Sequence, residues 1–247
     1  MAGHSHSANI AVRKGKQDNA RAKVFSKLAR YIMIAAKNGG GDPDTNLRLR
    51  YAIDKARHVS MPKDNIERAV KKGTGDLEGV HYEEITYEGY GPNGTAILVE
   101  TLTDSRNRTA TEIRTIFEKN GGHQGLPGCV GYLFVRKGLI LIEAAKFPNE
   151  DALMEVAMNA NAADFLKAGD YYEITCEPTH FPALKDALEA AGYYAAEAEV
   201  KNLPATLVDV EVETGRKLLR LMDKFEDHDD VQTVYTNAHI TAEMADA

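Results

Sequence analysis

The stretch GTGDLEGVHYEEITYEGYGPNGTAILVETLT, residues 73–103, is where the chain changes character. GTGDLEG, residues 73 to 79, is glycine-rich and acidic and carries no apolar period, so it reads as a linker. HYEEITYEGY and GTAILVETLT are rich in β-branched and aromatic residues. The Gly-Pro-Asn-Gly run between them supplies turn geometry, so the two read as a hairpin. A helical head therefore precedes this stretch and a strand-bearing body follows it.

Upstream, DNARAKVFSKLARYIMIAAKNGGG from Asp18 sets Val24, Leu28, Ile32 and Ala36 four residues apart, with Lys23, Lys27 and Arg30 on a neighbouring face. Asn38 and Gly39 to Gly41 stop that helix. NLRLRYAIDKARH predicts a second helix with Leu49, Ala52, Ile53 and Ala56 inward. A third begins near Ser60 and Pro62, runs through Ile66, Ala69 and Val70, and ends at Lys72 and Gly73. Three short amphipathic helices make a small bundle. Charge follows the same division: residues 1–75 hold 16 Lys+Arg against 6 Asp+Glu, net +10, and the remainder holds 14 against 31, net -17. A basic head on an acidic body points to a polyanion contact confined to the head.

Downstream, TATEIRTIFEKNGG predicts a helix with Thr109 and Glu112 at capping-box spacing, followed by the glycine-rich loop GGHQGLPGC. From Tyr132 a further module reads as two strands turning at Lys137-Gly138, a helix over EDALMEVAMNANAA, the strand YYEITCE, the helix ALKDALEAAG and the strand YAAEAEVK. After Pro204 come a strand (ATLVDVEV), a helix (GRKLLRLMDKFED) and a strand (VQTVYTN). These three are too few for a domain, but with the hairpin and helix of residues 82–119 they complete a second sheet covered by two helices. Helix, turn and strand recur in ALKDALEAAGYYAAEAEV and LLRLMDKFEDHDDVQTVY, an echo of one repeated unit. The expected class is α+β: an N-terminal helical bundle followed by two ferredoxin-like α/β modules, the second inserted in the first. The expected domains are 1–78, a discontinuous 79–131 plus 204–240, and an inserted 132–203.

Several function classes drop out. Cys129 and Cys176 are far apart and form no CxxC pair, which suits a reducing compartment and argues against a disulfide framework or a cysteine zinc site. No apolar run approaches the roughly 20 residues of a membrane span, and no secretory signal follows the basic N-terminus. A cytoplasmic protein without a membrane partner is the expectation. No nucleophile elbow, HExxH, Walker lysine or GxGxxG spacing is present, so no catalytic residue, cofactor or small-molecule substrate is expected.

MAGHSHSANI, RKGKQD, FSKLAR, NGGGDPDTNLRLR, MPKDNI, YEGYGPNGTA, TDSRNRTATEIR and GYLF, in this order, resemble the YebC/PmpR family, a group that also includes mitochondrial translational activators. The resemblance runs from the first residue to DDVQTVYTN. It implies a helical N-terminal bundle with two α/β modules, the last inserted, and a role in gene expression. Members are labelled DNA-binding transcriptional regulators, and others act on translation at the ribosome. One departure stands out: members often carry Lys-Trp after the His-Ser pair, whereas here those places hold His6 and Ser7 and the chain has no Trp. A function that needs that aromatic for base stacking is not supported at this position.

Candidate nucleic-acid contacts are Arg13, Lys14, Lys16, Arg21, Lys23, Lys27 and Arg30, suited to phosphates, with His4, Ser5 and Asn9 adding hydrogen bonds to phosphate, ribose or base edges. Arg106 and Arg108, between a strand and a helix N-terminus in DSRNRT, suit a phosphate or an acidic partner. Equally, Asp104, Asn107 and Thr109 make the turn and cap while the arginines pair with nearby carboxylates. His4 and His6 lack the third ligand and supporting shell of a metal site, and EDHDD at 226–230 reads as a loop ending a helix, so no metal is expected. The expected function is that of a non-enzymatic, DNA-binding transcriptional regulator. The alternative is a translation factor on ribosomal RNA, with a basic protein partner on the acidic body, and the remote alternative is a metal-dependent hydrolase.

Overall fold

The computed structural model describes residues 21–75 and 82–245. Three helices come first: α1 (Arg21–Gly39), α2 (Leu47–His58) and α3 (Lys63–Thr74). Then follow β1 (Glu83–Tyr90), β2 (Ala96–Thr103), α4 (Arg106–Lys119), β3 (His123–Gln124), β4 (Phe134–Glu143), α5 (Glu150–Asn159), β5 (Asp164–Ala168), β6 (Tyr171–Cys176), α6 (Phe181–Ala190), β7 (Glu197–Pro204), β8 (Val208–Asp209), α7 (Val212–Glu226), β9 (Val231–Thr236), β10 (Ala238–His239) and α8 (Ala242–Ala245). The chain falls into two compact units, one running through the head to Val130 and resuming over Lys217–Val234, the other formed by Gly131–Arg216 and the chain from Tyr235 onward.

In the first unit the head closes on Leu28, Ile32, Leu49, Ala52, Ile53, Ala56, Ile66 and Ala69, inward positions that the three helical patterns predict. Asn46 starts α2: its side chain accepts from Leu49 N at 3.1 Å and donates to Ala35 O and Gly40 O, both at 2.8 Å. A single amide thus caps one helix and ties it to the end of another. Gly73 lets α3 lie against α1, since a Cβ there would stand 2.3 Å from Met33 O and 2.8 Å from Ala36 Cβ. The adjoining sheet has the order β3-β1-β2-β9. The predicted hairpin is present, with Glu83 opposite Thr103 and Tyr90 opposite Ala96. Phe117 of α4 and Phe225 of α7 meet edge to face with centroids 4.6 Å apart beneath it.

Three expectations change here. α4 starts at Arg106, so Thr109 is not a cap but a buried residue of the first turn. One outer strand of the sheet comes from His123–Gln124 in the glycine-rich loop, opposite Gly89 and Tyr90. The predicted strand ATLVDVEV shrinks to β8, which pairs parallel with β10 and joins neither four-stranded sheet.

The second unit is a βαββαβ module with sheet order β5-β6-β4-β7, the ferredoxin-like arrangement. Lys137-Gly138 is not a turn: β4 runs straight through it, pairing Gly138 with Cys176 on one side and Val200 on the other. Glycine is needed there for space, because a Cβ would stand 2.7 Å from both Cys176 Sγ and a Phe181 ring carbon. The strand missed in the sequence is DFLKA, residues 164–168, which pairs along β6. An α+β fold with a helical head and α/β modules is what the chain adopts, and the second module interrupts the first between β3 and β9. Among the described residues no helix is long and apolar enough to cross a membrane.

Candidate nucleic-acid interface

Of the basic residues that the sequence groups together, the structure describes only a part. His4, Ser5, Asn9, Arg13, Lys14 and Lys16, and His6 with them, lie outside the described residues, and of Arg21 only the backbone is described. Lys23, Lys27 and Arg30 are described, and all three turn to the end of α7. Lys27 Nζ donates to Glu226 O at 2.6 Å, Lys23 Nζ donates to Asp227 O, and Arg30 donates to Asp229 O at 2.7 Å. The last carbonyls of a helix have no partner within the helix and carry its negative end. One basic helix face therefore caps the C-terminus of another helix some 200 residues later in the sequence.

Burial in this joint, reinforced by the neighbouring Lys23 charge, pulls the Lys27 ammonium down to about 8 from its usual 10.5. The unfolded chain then binds the extra proton between pH 8 and 10.5, so the stability of the native protein gains from Lys27 as pH rises through that window. Urea unfolding of the wild type and of Lys27→Met between pH 7 and 10.5 should show the difference moving in favour of the wild type as pH climbs. A difference that does not vary with pH would remove the buried ammonium.

Asp230, immediately after this joint, organises a second cluster. Its carboxylate accepts from Arg108 at 2.6 Å and from the Thr109 hydroxyl at 2.7 Å, and Arg30 approaches its other oxygen at 3.3 Å. The Thr103 hydroxyl stands 2.7 Å from that of Thr109. Burial pushes this carboxyl upward, but the hydrogen bonds from Thr109, Arg108 and Thr103 and the Arg108 charge outweigh it and hold the group below its ordinary value. Arg108 also reaches Asp104 at 3.1 Å and Glu112 at 3.7 Å. Of the two readings of DSRNRT, the carboxylate-paired one describes Arg108, while Arg106 stays exposed in the first turn of α4.

Glu112, His228 and Asp230 bring three ligand atoms within 4.8 Å of one another. His228 Nδ1 accepts from Asp230 N at 3.1 Å, which places its proton on Nε2, 2.8 Å from Glu112 Oε2. These atoms already hold protein partners, so a cation there would displace an arginine and a threonine. The loop GGHQGLPGC is likewise tied to the sheet: Glu88 of β1 accepts from Gly128 N at 2.7 Å and from Val130 N, just past the loop, at 2.8 Å. Two amides of the kind that cradle phosphate are thus turned onto a carboxylate of the protein.

Other cations of the head are presented to solvent, Lys37 near the end of α1 and Arg57 near the end of α2 among them. α3 exposes Lys63, Arg68, Lys71 and Lys72. Arg68 and Lys72, one turn apart, border an open cavity of about 290 Å³ between α1 and α3 that Phe25, Ala29, Met33 and Met61 line. In the sequence α3 stands out for its apolar face, Ile66, Ala69 and Val70. The Arg68 and Lys72 spacing of four was the signal that could have marked its other side.

Two family models cover the chain: the TACO1/YebC protein N-terminal domain matches residues 5–76, and the TACO1/YebC second and third domain matches residues 82–238. The chain belongs to the TACO1/YebC family. It is 51% identical over 247 residues, the whole of both chains, to a "Probable transcriptional regulatory protein" of Desulforapulum autotrophicum. To a protein of the same description from Dictyoglomus turgidum it is 49% identical over 244 residues, covering 99% of this chain and 98% of that one. The crystal structure of a conserved hypothetical protein from Aquifex aeolicus superposes with a TM-score of 0.79 at 42% identity, covering 91% of this chain and 93% of that chain. The TACO1/YebC fold thus accounts for the head and for both α/β modules.

Proposed function

We propose that this TACO1/YebC protein is a non-enzymatic, nucleic-acid-binding regulator of gene expression that engages its target through the helical head. The observation that carries this reading is the solvent-facing row Arg68, Lys71 and Lys72 on α3, on a head with a net charge of +10 in a chain whose total is -7. The N-terminal basic residues Arg13, Lys14, Lys16 and Arg21, with His4, Ser5 and Asn9, extend the same contact, and Arg106 supplies an outlying cation. Lys23, Lys27, Arg30 and Arg108 serve chiefly to hold the 226–230 loop. Cytoplasmic residence goes with this role.

The names of the relatives favour DNA as the target. A second reading, RNA on the ribosome, is favoured by α3 itself. A recognition helix reads bases with its N-terminal residues, and here that end exposes Asp64 and Glu67 beside Lys63. Carboxylates there repel the phosphates that flank a major groove. The test is the affinity of the full chain for duplex DNA and for ribosomal RNA fragments between 50 and 200 mM salt. If about six phosphates are neutralised, affinity falls on the order of a thousandfold across that range. A flat response ends the reading, and salt-dependent binding to one substrate alone decides between the two targets.

A further inference from the structure

The cavity between α1 and α3 has features that phosphate contacts alone do not use. Its floor is apolar, made by Phe25, Ala29, Met33 and Met61, and Arg68, Asn65 and Lys72 stand at its edge. Arg68 is aligned along α3 by Asp64 O at 3.2 Å and by the Asn65 side chain. An aromatic ring and two polarisable thioethers beside paired cations match a flat, weakly polar group that carries phosphate on either side. We propose that this groove receives one unpaired base of an RNA loop, with Arg68 and Lys72 on the adjoining phosphates. The proposal rests on the head being the nucleic-acid contact and names the form of nucleic acid that it takes.

Shape argues against the competing occupants. A duplex offers base edges at the bottom of a groove and is read by convex elements that enter it, whereas this site is concave. An amphipathic helix needs a trough long enough for anchors at i, i+3 or i+4, and i+7, and about 290 Å³ is at the small end for any ligand pocket. A single ring system fits that space. Unpaired loops, whose bases splay out onto aromatic side chains, are the form in which RNA is most often read by sequence. The missing Trp of the N-terminal segment therefore does not leave the head without an aromatic platform, because Phe25 supplies one.

The test uses the full chain with an RNA hairpin carrying 4-thiouridine in its loop, the same sequence as single-stranded DNA, and the same sequence as duplex DNA. The expected photocrosslink maps to the peptides holding Phe25, Met33 or Met61. Ala29→Leu, which fills the groove, and Phe25→Ala, which removes the ring, should each lower affinity for the hairpin about tenfold and abolish that crosslink, with the thermal unfolding midpoint recorded to show that each variant folds. If the hairpin binds with a salt slope but crosslinks elsewhere, the base site is wrong and the basic head stands. Equal affinity for the single-stranded DNA overturns the commitment to RNA. If no nucleic acid binds with a salt slope, both the groove and the head reading fall. Displacement of the hairpin by an acidic amphipathic peptide that protects the groove would make it a protein-docking site.

Discussion

Reversal of Arg68, Lys71 and Lys72 to glutamate should weaken nucleic-acid binding on the order of a hundredfold or more at low salt, and reduce the slope of log affinity against log salt by about three. These side chains are exposed on α3, Arg68 and Lys72 at the edge of the groove, while the buried residues of that helix are Ile66, Ala69 and Gly73. The unfolding midpoint should therefore change little. Charge reversal at Lys23, Lys27 and Arg30 should behave differently, because these residues neutralise the end of α7, and the first consequence is lost stability. Fluorescence anisotropy and thermal unfolding on both triple variants would separate the two faces. If the α1 variant lost affinity at unchanged stability while the α3 variant bound normally, the interface would move to α1.

The second large effect is on folding. Asp230→Ala removes a carboxylate that accepts from Arg108 and Thr109 and faces Arg30, and should cost about 3 kcal/mol as a buried, charge-assisted network loses its centre. For a chain of this size that is a fall of roughly 6–12 °C in the unfolding midpoint. Asp229, whose side chain is 74% exposed where it meets Lys23, is the control: Asp229→Ala should stay within about 0.5 kcal/mol. Because the Asp230 carboxyl is held below its ordinary value, its contribution is complete above about pH 4, the value in the unfolded chain, and fades as pH falls through the lower folded value. Wild type and Asp230→Asn should accordingly begin to converge in stability as pH falls below about 4, and meet once the lower folded value is passed. A gap that persisted there would mean that the carboxylate charge is not what holds the loop.

Much of the fold could be read in the chain because its signals are local. Leu49, Ala52, Ile53 and Ala56 have helical spacing and are buried, and the GPNG turn joins two strands that pair as their patterns require. The misreadings arose where a distant neighbour decides the outcome. Gly138 resembles a turn residue until Cys176 and Phe181 are seen pressed against it. DFLKA is too short to announce itself and becomes β5 only beside β6. The same limit applied to the candidate site. Lys23, Lys27 and Arg30 form a basic stripe in one dimension, and no spacing within α1 indicates that an α7 terminus will meet them. Thr109 gave a capping signal although its hydroxyl is turned to a carboxylate 121 residues away.

That separation has a consequence for the order in which the protein is made. α1 leaves the ribosome early, yet the carbonyls that cap its lysines belong to Glu226 and Asp227. At about 5–20 residues per second they follow some 10–40 seconds later. β9, which completes the first sheet, is equally late, and a whole ferredoxin-like module is synthesised in between. The nascent head therefore passes through a period in which the Lys23, Lys27 and Arg30 face of α1 is uncovered. Its polyanion affinity during synthesis should exceed that of the finished molecule, until the last strand closes the sheet and draws that face inward.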